Sequence, residues 1–388
     1  MEVLTGFPHY PGSVLYEGYR MQLLQRETID GISVVRIPLY PSHGSSALKR
    51  VLCYTSFALS ASTVGMLFTK PADIIVIGEG PGTMGLAGCV GRLLRRTPFV
   101  IYVLDCWPET LEATGMLSNK LALKLVGRMM DFIYSRAARI IVSTPGYKRL
   151  IEGRGVPSEK VDLIYGWCED AKFVVSAPDV SLKRKLGMED RFNIVYAGNI
   201  GKAQALSSVI QAAEIVKTKC PDVLFWFIGD GVDVDCLKDN VKTMNLTNVK
   251  FLLRQPIGQI GRILRLADVL LIHLRDDFSY KITIPSKTVA SMATGRPLLV
   301  AVGGDTADLV DRAGAGVNCR SEDPRSIAEG VIRMRGMSKH KLEMMGSAGK
   351  SFYLNNMCGS IAVLQFERIL EEVLAKRVST SKRVVRAG

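Results

Sequence analysis

The run Tyr196-Ala197-Gly198-Asn199-Ile200-Gly201-Lys202 sets two glycines and a lysine directly after a β-branched stretch, and a helical pattern resumes at Leu206. Glycines let backbone N–H groups come close to a ligand, and a helix N-terminus carries about half a positive charge. Lys202 adds a full charge, so the segment reads as a cradle for a diphosphate. An ordinary turn between a strand and a helix is the plainer alternative. A second turn, Ile228-Gly229-Asp230-Gly231, also leaves a strand and opens a helix, but Asp-Gly is a generic turn former and alone reads as structural. In Ile284-Pro285-Ser286-Lys287-Thr288, Ser286 reads as an N-cap and Lys287 beside it as a cation for an anionic ligand. Gly303-Gly304-Asp305-Thr306 leads into another helix, with Asp308 in its first turn.

Two carboxylates stand out in the first half. Asp105, in Val103-Leu104-Asp105-Cys106-Trp107-Pro108-Glu109, follows a strand and could act as a base or stabilise an oxocarbenium-like centre; a structural, N-cap-like aspartate explains it equally well. Glu79, in Gly78-Glu79-Gly80-Pro81-Gly82, is a weaker candidate of the same kind. No Ser/His/Asp arrangement, Walker lysine loop or GxGxxG fingerprint is present, so hydrolase, NTPase and dehydrogenase readings lack support.

The elements that must position these residues alternate between β-branched runs and helical patterns, the signature of parallel sheets with crossover helices. Strands are expected at 33–37, 74–77, 99–104, 140–142 and 161–164, then at 192–196, 223–228, 249–251, 269–272 and 298–300. The fold class is therefore α/β, with two Rossmann-like domains facing a cleft at the carboxyl ends of their strands. Residues 1–172 form the acceptor-side domain, rejoined by a helix over 360–388, and residues 173–359 form the donor-binding domain. The linker falls between Gly166 and Arg191, around Ser176-Ala177-Pro178-Asp179. No strand, Gly-rich turn and helix precede Val3-Leu4-Thr5, so the first domain is expected to lack its initial strand and helix.

The chain has 388 residues, 47% hydrophobic and 22% charged, which suits two ordinary globular cores. Its eight cysteines are scattered singly and its four histidines are dispersed, which points to reduced cytosolic thiols and no metal site. The net charge of +13 calls for an anionic partner. No nucleic-acid-binding signature accompanies it, which leaves phosphorylated substrates or an acidic lipid surface. The uncharged stretch Val51 to Thr69 reads first as a buried helix, second as a membrane-dipping one and last as a span.

With these residues in view, the second half resembles the retaining glycosyltransferases of family 4, which have the GT-B fold. The resemblance runs through Tyr196-Ala197-Gly198, Phe227-Ile228-Gly229-Asp230-Gly231, Val249–Phe251 with Arg254, Ala267-Asp268-Val269 and Ala293-Thr294-Gly295-Arg296-Pro297. Ser143-Thr144-Pro145 and Gly155-Val156-Pro157 fit the end of that family's acceptor domain. Three segments, Gly6-Phe7-Pro8-His9-Tyr10-Pro11, Leu104–Thr110 and Ile284–Thr288, are similar to a bacterial subgroup of fucosyl- and N-acetylfucosaminyltransferases that build O-antigen, capsule or colanic-acid-like polymers.

The resemblance implies a UDP-sugar donor, no cofactor and no metal. It also implies a lipid-linked saccharide acceptor at the cytoplasmic face of an anionic membrane. The residues read above, taken with the resemblance, put donor contacts at Gly198, Asn199, Gly201, Gln204, Gly229, Asp230, Gly231, Arg254, Ser286, Lys287, Thr288 and Asp308, and catalytic roles at Asp105 and Lys202. The sequence departs from the family where two glutamates are usual, at Ile282 and Ala290. The family's arginine is Asn199 and its lysine position is Gln204, with Lys202 as the neighbouring substitute; Leu104 stands where a histidine often precedes the aspartate. A UDP-sugar 2-epimerase of the same architecture and a non-catalytic nucleotide-sugar-binding module are the rival readings.

Overall fold

The structure is a computed structural model that describes residues 1–10, 13–42, 46–174 and 179–386. Ser176, Ala177 and Pro178 of the expected linker lie outside these residues, as do the side chains of Glu79 and of Lys382, Arg383 and Arg386 in the basic tail. The chain packs as two units, one made of Met1–Ser143, Tyr147–Leu163 and Phe366–Gly388, the other of Thr144–Gly146 and Ile164–Gln365. The passage into the second unit comes after Leu163, earlier than the boundary at 172 read from the sequence, because Tyr165, Cys168 and Phe173 pack into the second unit's core. The closing helix Gly359–Arg386 likewise joins the first unit only from Phe366, not from 360.

The second unit is built on six parallel strands: β8 (Phe192–Ala197), β9 (Val223–Ile228), β10 (Val249–Leu252), β11 (Val269–His273), β12 (Leu298–Ala301) and β13 (Gly316–Asn318). Their order is β10-β9-β8-β11-β12-β13. β9 and β11 are buried along their whole length, as expected of parallel strands covered by helices on both faces. Alternate residues feed two cores. Leu224, Trp226 and Ile228 join one with Leu270 and Ile272, while Val223, Phe225 and Phe227 join the other with Val269 and Leu271. In chain order the sheet reads 3-2-1-4-5-6, so its direction of growth reverses between β8 and β11; ligands of such sheets bind in the crevice at that reversal. The helix Lys339–Asn356 runs up to the start of the closing helix, Gly359–Arg386.

The first unit carries two smaller sheets. Four parallel strands, β4 (Ile75–Glu79), β5 (Phe99–Val103), β6 (Arg139–Val142) and β7 (Val161–Leu163), lie in sequence order. A separate sheet joins β1 (Glu2–Gly6) parallel to β3 (Ile32–Ile37), with β2 (Gln25–Ile29) antiparallel on its other side. Among the described residues 7–24 there is no helix. The stretch read as a buried helix is one continuous helix from Ala47 through a π-helical turn at Ala61–Gly65 to Phe68. Only one side of it is packed, by Cys53, Ala58, Ala61, Gly65 and Met66, because the opposite side is itself apolar and finds no cover within the unit. All eight cysteines are free thiols.

Candidate functional site

The strand β8 ends at Ala197, and Gly198 turns away at φ 145°. A short 3-10 turn, Lys202–Gln204, comes before the helix Ser207–Lys219, so the cradle is a loop with its own small helix rather than a direct strand-to-helix step. Gln204 holds this loop closed. Its Oε1 accepts from Gly201 N and from Asn199 Nδ2, both at 3.1 Å. The loop is anchored to the far side of the reversal point by Arg275 N donating to Ala203 O at 3.0 Å and by His273 Nδ1 to Gln204 O at 2.6 Å.

His273 is fully buried at the end of β11. A backbone amide can only donate, so Glu322 N at 3.2 Å makes Nε2 the acceptor and leaves the ring proton on Nδ1, facing Gln204 O. Burial lowers the pKa of this imidazole, so it is neutral at physiological pH. His273 is a fixed brace for the cradle, and its bonding leaves no ring nitrogen for chemistry.

The second turn packs on the first. A Cβ at Gly229 (φ 152°) would sit 1.9 Å from Gly198 O, and one at Gly231 (φ 154°) 2.1 Å from Ile200 O. Ile200 N donates to Asp230 O at 2.8 Å, and Asp230 Oδ1 accepts from Gly231 N at 2.8 Å. Gly-Asp-Gly is therefore accounted for by the contact between two loops, which permits no side chain at either glycine.

Lys287 reaches the same place from the helix Ser286–Thr294, which follows β11. Its Nζ donates to Tyr196 Oη at 2.6 Å and lies 4.3 Å from that ring's centroid. A Cβ at Gly198 would be 3.4 Å from the same Nζ. The residue as a whole is half-buried, but its ammonium end is the enclosed part, and desolvation lowers its pKa to about 8. Tyr196 is buried too, which raises its hydroxyl pKa, and it donates to Asn199 O at 2.6 Å. No local pattern marks this Tyr–Lys pair, whose members lie 91 positions apart.

The remaining candidates divide by placement. Lys202 is exposed on the cradle with no ion pair among the described residues. Ser286 is not the N-cap: that position is Pro285, with φ −59° and ψ 140°, and no side chain caps the helix. Thr288 N donates to Pro285 O at 2.8 Å, so among the described residues the N–H groups of Ser286 and Lys287 are the ones left for another acceptor. Thr288 is fully buried, so it stands behind the helix N-terminus rather than on its surface, and its Oγ1 has no partner among the described residues. Arg254, in the loop after β10, and Asp308, in the first turn of Asp305–Ala313, are both exposed. Among the described residues, neither makes a side-chain bond to the cradle.

Asp305, which the sequence reading passed over as a candidate, is 3% exposed and accepts from Gly146 N; beside it Thr144 Oγ1 donates to Ile282 O at 2.7 Å. The residues 144–146 are thereby built into the second unit, although their chain neighbours belong to the first.

In the first unit, Asp105 follows β5 and keeps solvent-accessible surface, yet the protein crowded around it raises its carboxyl above the usual carboxylate range by desolvation. The loop is held by Arg154, which donates to Trp107 O at 2.9 Å and to both oxygens of Glu109 at 2.5 Å. The Tyr54 ring lies 6.0 Å from that of Trp107.

Two α/β units of this design define the GT-B fold. Among solved structures, HepE of Anabaena in complex with UDP superposes with a TM-score of 0.70 at 15% identity, covering 96% of this chain and 99% of that one. Residues 1–167 match the glycosyl transferase 4-like domain, and residues 181–352 match the glycosyl transferases group 1 domain. Both halves thus carry glycosyltransferase domains, and the chain is a glycosyltransferase. It is 25% identical over 311 residues to WbjE of Pseudomonas aeruginosa, assigned as a glycosyltransferase, covering 79% of this chain and 76% of that protein. It is 27% identical over 306 residues to WcaI of Escherichia coli (strain K12), assigned as a colanic acid biosynthesis glycosyl transferase, covering 76% of this chain and 73% of WcaI.

Proposed function

We propose that the protein transfers a sugar, with retention, from a UDP-linked donor to a lipid-linked saccharide during synthesis of a bacterial surface polysaccharide. The observation that carries this reading is the enclosed Lys287 ammonium beside Gly198, at the point where the six-stranded sheet reverses. When the bond between sugar C1 and the diphosphate breaks, negative charge builds on the leaving phosphate, and fixed positive charge there is the main demand on a glycosyl-transfer site. Lys287, the exposed Lys202 and the uncapped helix N-terminus at Ser286 meet that demand with groups of the chain itself, so donor binding is proposed to need no metal. The acceptor oxygen then bonds to C1, and its proton leaves with the diphosphate.

The printed complexes of HepE with UDP, UDP-glucose, and UDP plus glucose support a uridine diphosphate donor, and WcaI's assignment to colanic acid biosynthesis supports the polymer. A 6-deoxy-hexosamine or a related sugar is the proposed cargo, from the resemblance of Ile284–Thr288 to that subgroup. Asp105 is the proposed acid–base or oxocarbenium-stabilising residue, its raised pKa fitting a carboxyl that exchanges a proton. The enzyme is placed at the cytoplasmic face of the membrane, where the lipid-linked acceptor is presented.

Calorimetry with UDP, GDP and ADP, with and without magnesium, tests this directly. Metal-independent binding selective for UDP and lost in Lys202→Ala is the expected result. A folded protein that binds none of the three would remove the donor reading.

A further inference from the structure

The helix running from Ala47 to Phe68 inverts the usual surface pattern, in which the packed side is apolar and the open side polar. Its packed side is made of small residues and Met66, whereas Leu48, Leu52, Leu59 and Leu67 stand 70%, 46%, 67% and 77% exposed. With Thr55 and Thr63 between them, their spacing of three or four residues draws one continuous stripe along the helix. The same holds on its neighbours. In Gly85–Arg95, Leu93 and Leu94 are 78% and 68% exposed; in Lys120–Arg136, Leu121, Leu125 and Phe132 are 68%, 56% and 48% exposed. The three helices meet around a groove of about 870 Å³, lined by Leu59, Leu86, Val90, Leu93 and Phe132 and edged by Arg92 and Arg136.

Charge around this face is predominantly positive. Arg92, Arg96, Lys120, Lys124, Arg128 and Arg136 are all exposed, and Asp131 is the single acidic residue in the three helices. An open apolar surface ringed by cations fits an anionic bilayer, with leucines and Phe132 at the acyl boundary and the basic side chains among the headgroups. The length and composition of Leu48–Phe68 would also allow it to cross a membrane. Against a crossing, Tyr54 O accepts from Thr83 Oγ1, and a Cβ on Gly65 would come 2.6 Å from Leu4 Cδ2, so this helix is seated on protein along one side.

We propose that the face formed by the helices at 47–68, 85–95 and 120–136 lies in the headgroup layer of an anionic membrane, the groove between them filled by lipid acyl chain. This rests on the membrane location given above and adds which surface makes the contact and how deep it goes: it lies on the bilayer and does not cross it.

Flotation with vesicles of phosphatidylglycerol and phosphatidylcholine in equal parts, against vesicles of phosphatidylcholine alone, tests the proposal. The full chain is expected to float with the anionic vesicles and be released by salt, and Leu59→Asp/Leu93→Asp to lose roughly tenfold or more of that binding. Because both leucines are exposed, the double variant is expected to keep its melting temperature and its UDP affinity. Equal flotation of variant and parent would overturn the proposal, as would a parent that ignores anionic vesicles. It would also fall if sedimentation showed a dimer of the parent that the double variant dissolves, for then a second copy covers the face. UDP binding is read separately: its loss with vesicle binding intact would sink the donor reading and leave this surface standing.

Discussion

Lys287 Nζ donates to Tyr196 Oη at 2.6 Å, and Tyr196 in turn donates to Asn199 O at 2.6 Å, so the ammonium is tied through one phenol to the backbone of the Gly198–Lys202 loop. Its pKa of about 8 sets a pH limit. The ammonium is the form that attracts a diphosphate; it is half lost at about pH 8 and nearly complete only well below that. A bound anion favours the charged form, so the Lys287 contribution to UDP affinity is expected to be full well below pH 8 and to fall as pH rises through it, with a proton taken up on binding in that range. Calorimetry in buffers of different ionisation enthalpy reads both. Lys287→Arg should abolish the pH dependence. Lys287→Met should cost about 1.5–3 kcal/mol of UDP binding, the worth of a hydrogen bond to a charged group.

Gly229→Ala and Gly231→Ala each force a Cβ to within about 2 Å of a carbonyl oxygen at a φ near 150°. A loss of about 2–4 kcal/mol of stability is expected for either, from strain and clash together. Asp230→Ala is the control. One of its carboxylate oxygens accepts from Gly231 N within the turn and no cation pairs with it among the described residues, so UDP affinity is expected to stay within about twofold of the parent's, well under the worth of one charged contact. A large drop would put Asp230 in contact with the donor.

His273 gives a stability signature in acid. Its folded pKa lies below the ordinary value of 6.5, so the unfolded chain binds a proton that the folded one does not. The contribution is complete above pH 6.5 and shrinks as pH falls through the window below it. Denaturant unfolding at pH 7.5 and 5.5 should therefore show a smaller acid loss in His273→Gln than in the parent. An identical loss would mean that other groups account for it.

Arg154→Met removes the clamp on Trp107 O and Glu109 and so frees the loop that presents Asp105. Turnover, followed by UDP release, is expected to fall while UDP affinity, proposed to be set in the other unit, is unchanged. Paired loss of both would point to misfolding instead.

Most strands were legible, because parallel strands covered on both faces are written as unbroken apolar runs such as Val223–Ile228. β2, Gln25–Ile29, was not, since its half-exposed edge alternates polar residues without a run. The cradle at Gly198–Lys202 was visible through its glycines. Its reinforcement by Tyr196, Lys287 and His273 was not, because those contacts are made by tertiary packing across the sheet and leave no local pattern. The cap at Ser286 was misplaced for a local reason: Pro285 has an extended ψ of 140° and takes the capping position itself. The helix at 47–68 was assigned to the core on its composition, but hydropathy does not say which side of a helix another element will cover.

The three residues Thr144, Pro145 and Gly146 belong to the second unit although the chain on either side belongs to the first. The second unit is thus not a contiguous cassette. A gene fragment for 164–365 would omit the Gly146 amide that Asp305 accepts from and the Thr144 hydroxyl that caps Ile282 O. Recombination that swaps this unit between relatives would have to carry the short upstream strip along, or fit a new unit to a strip left by the old one. The unit is inherited in two pieces that are distant in the gene and adjacent in the fold.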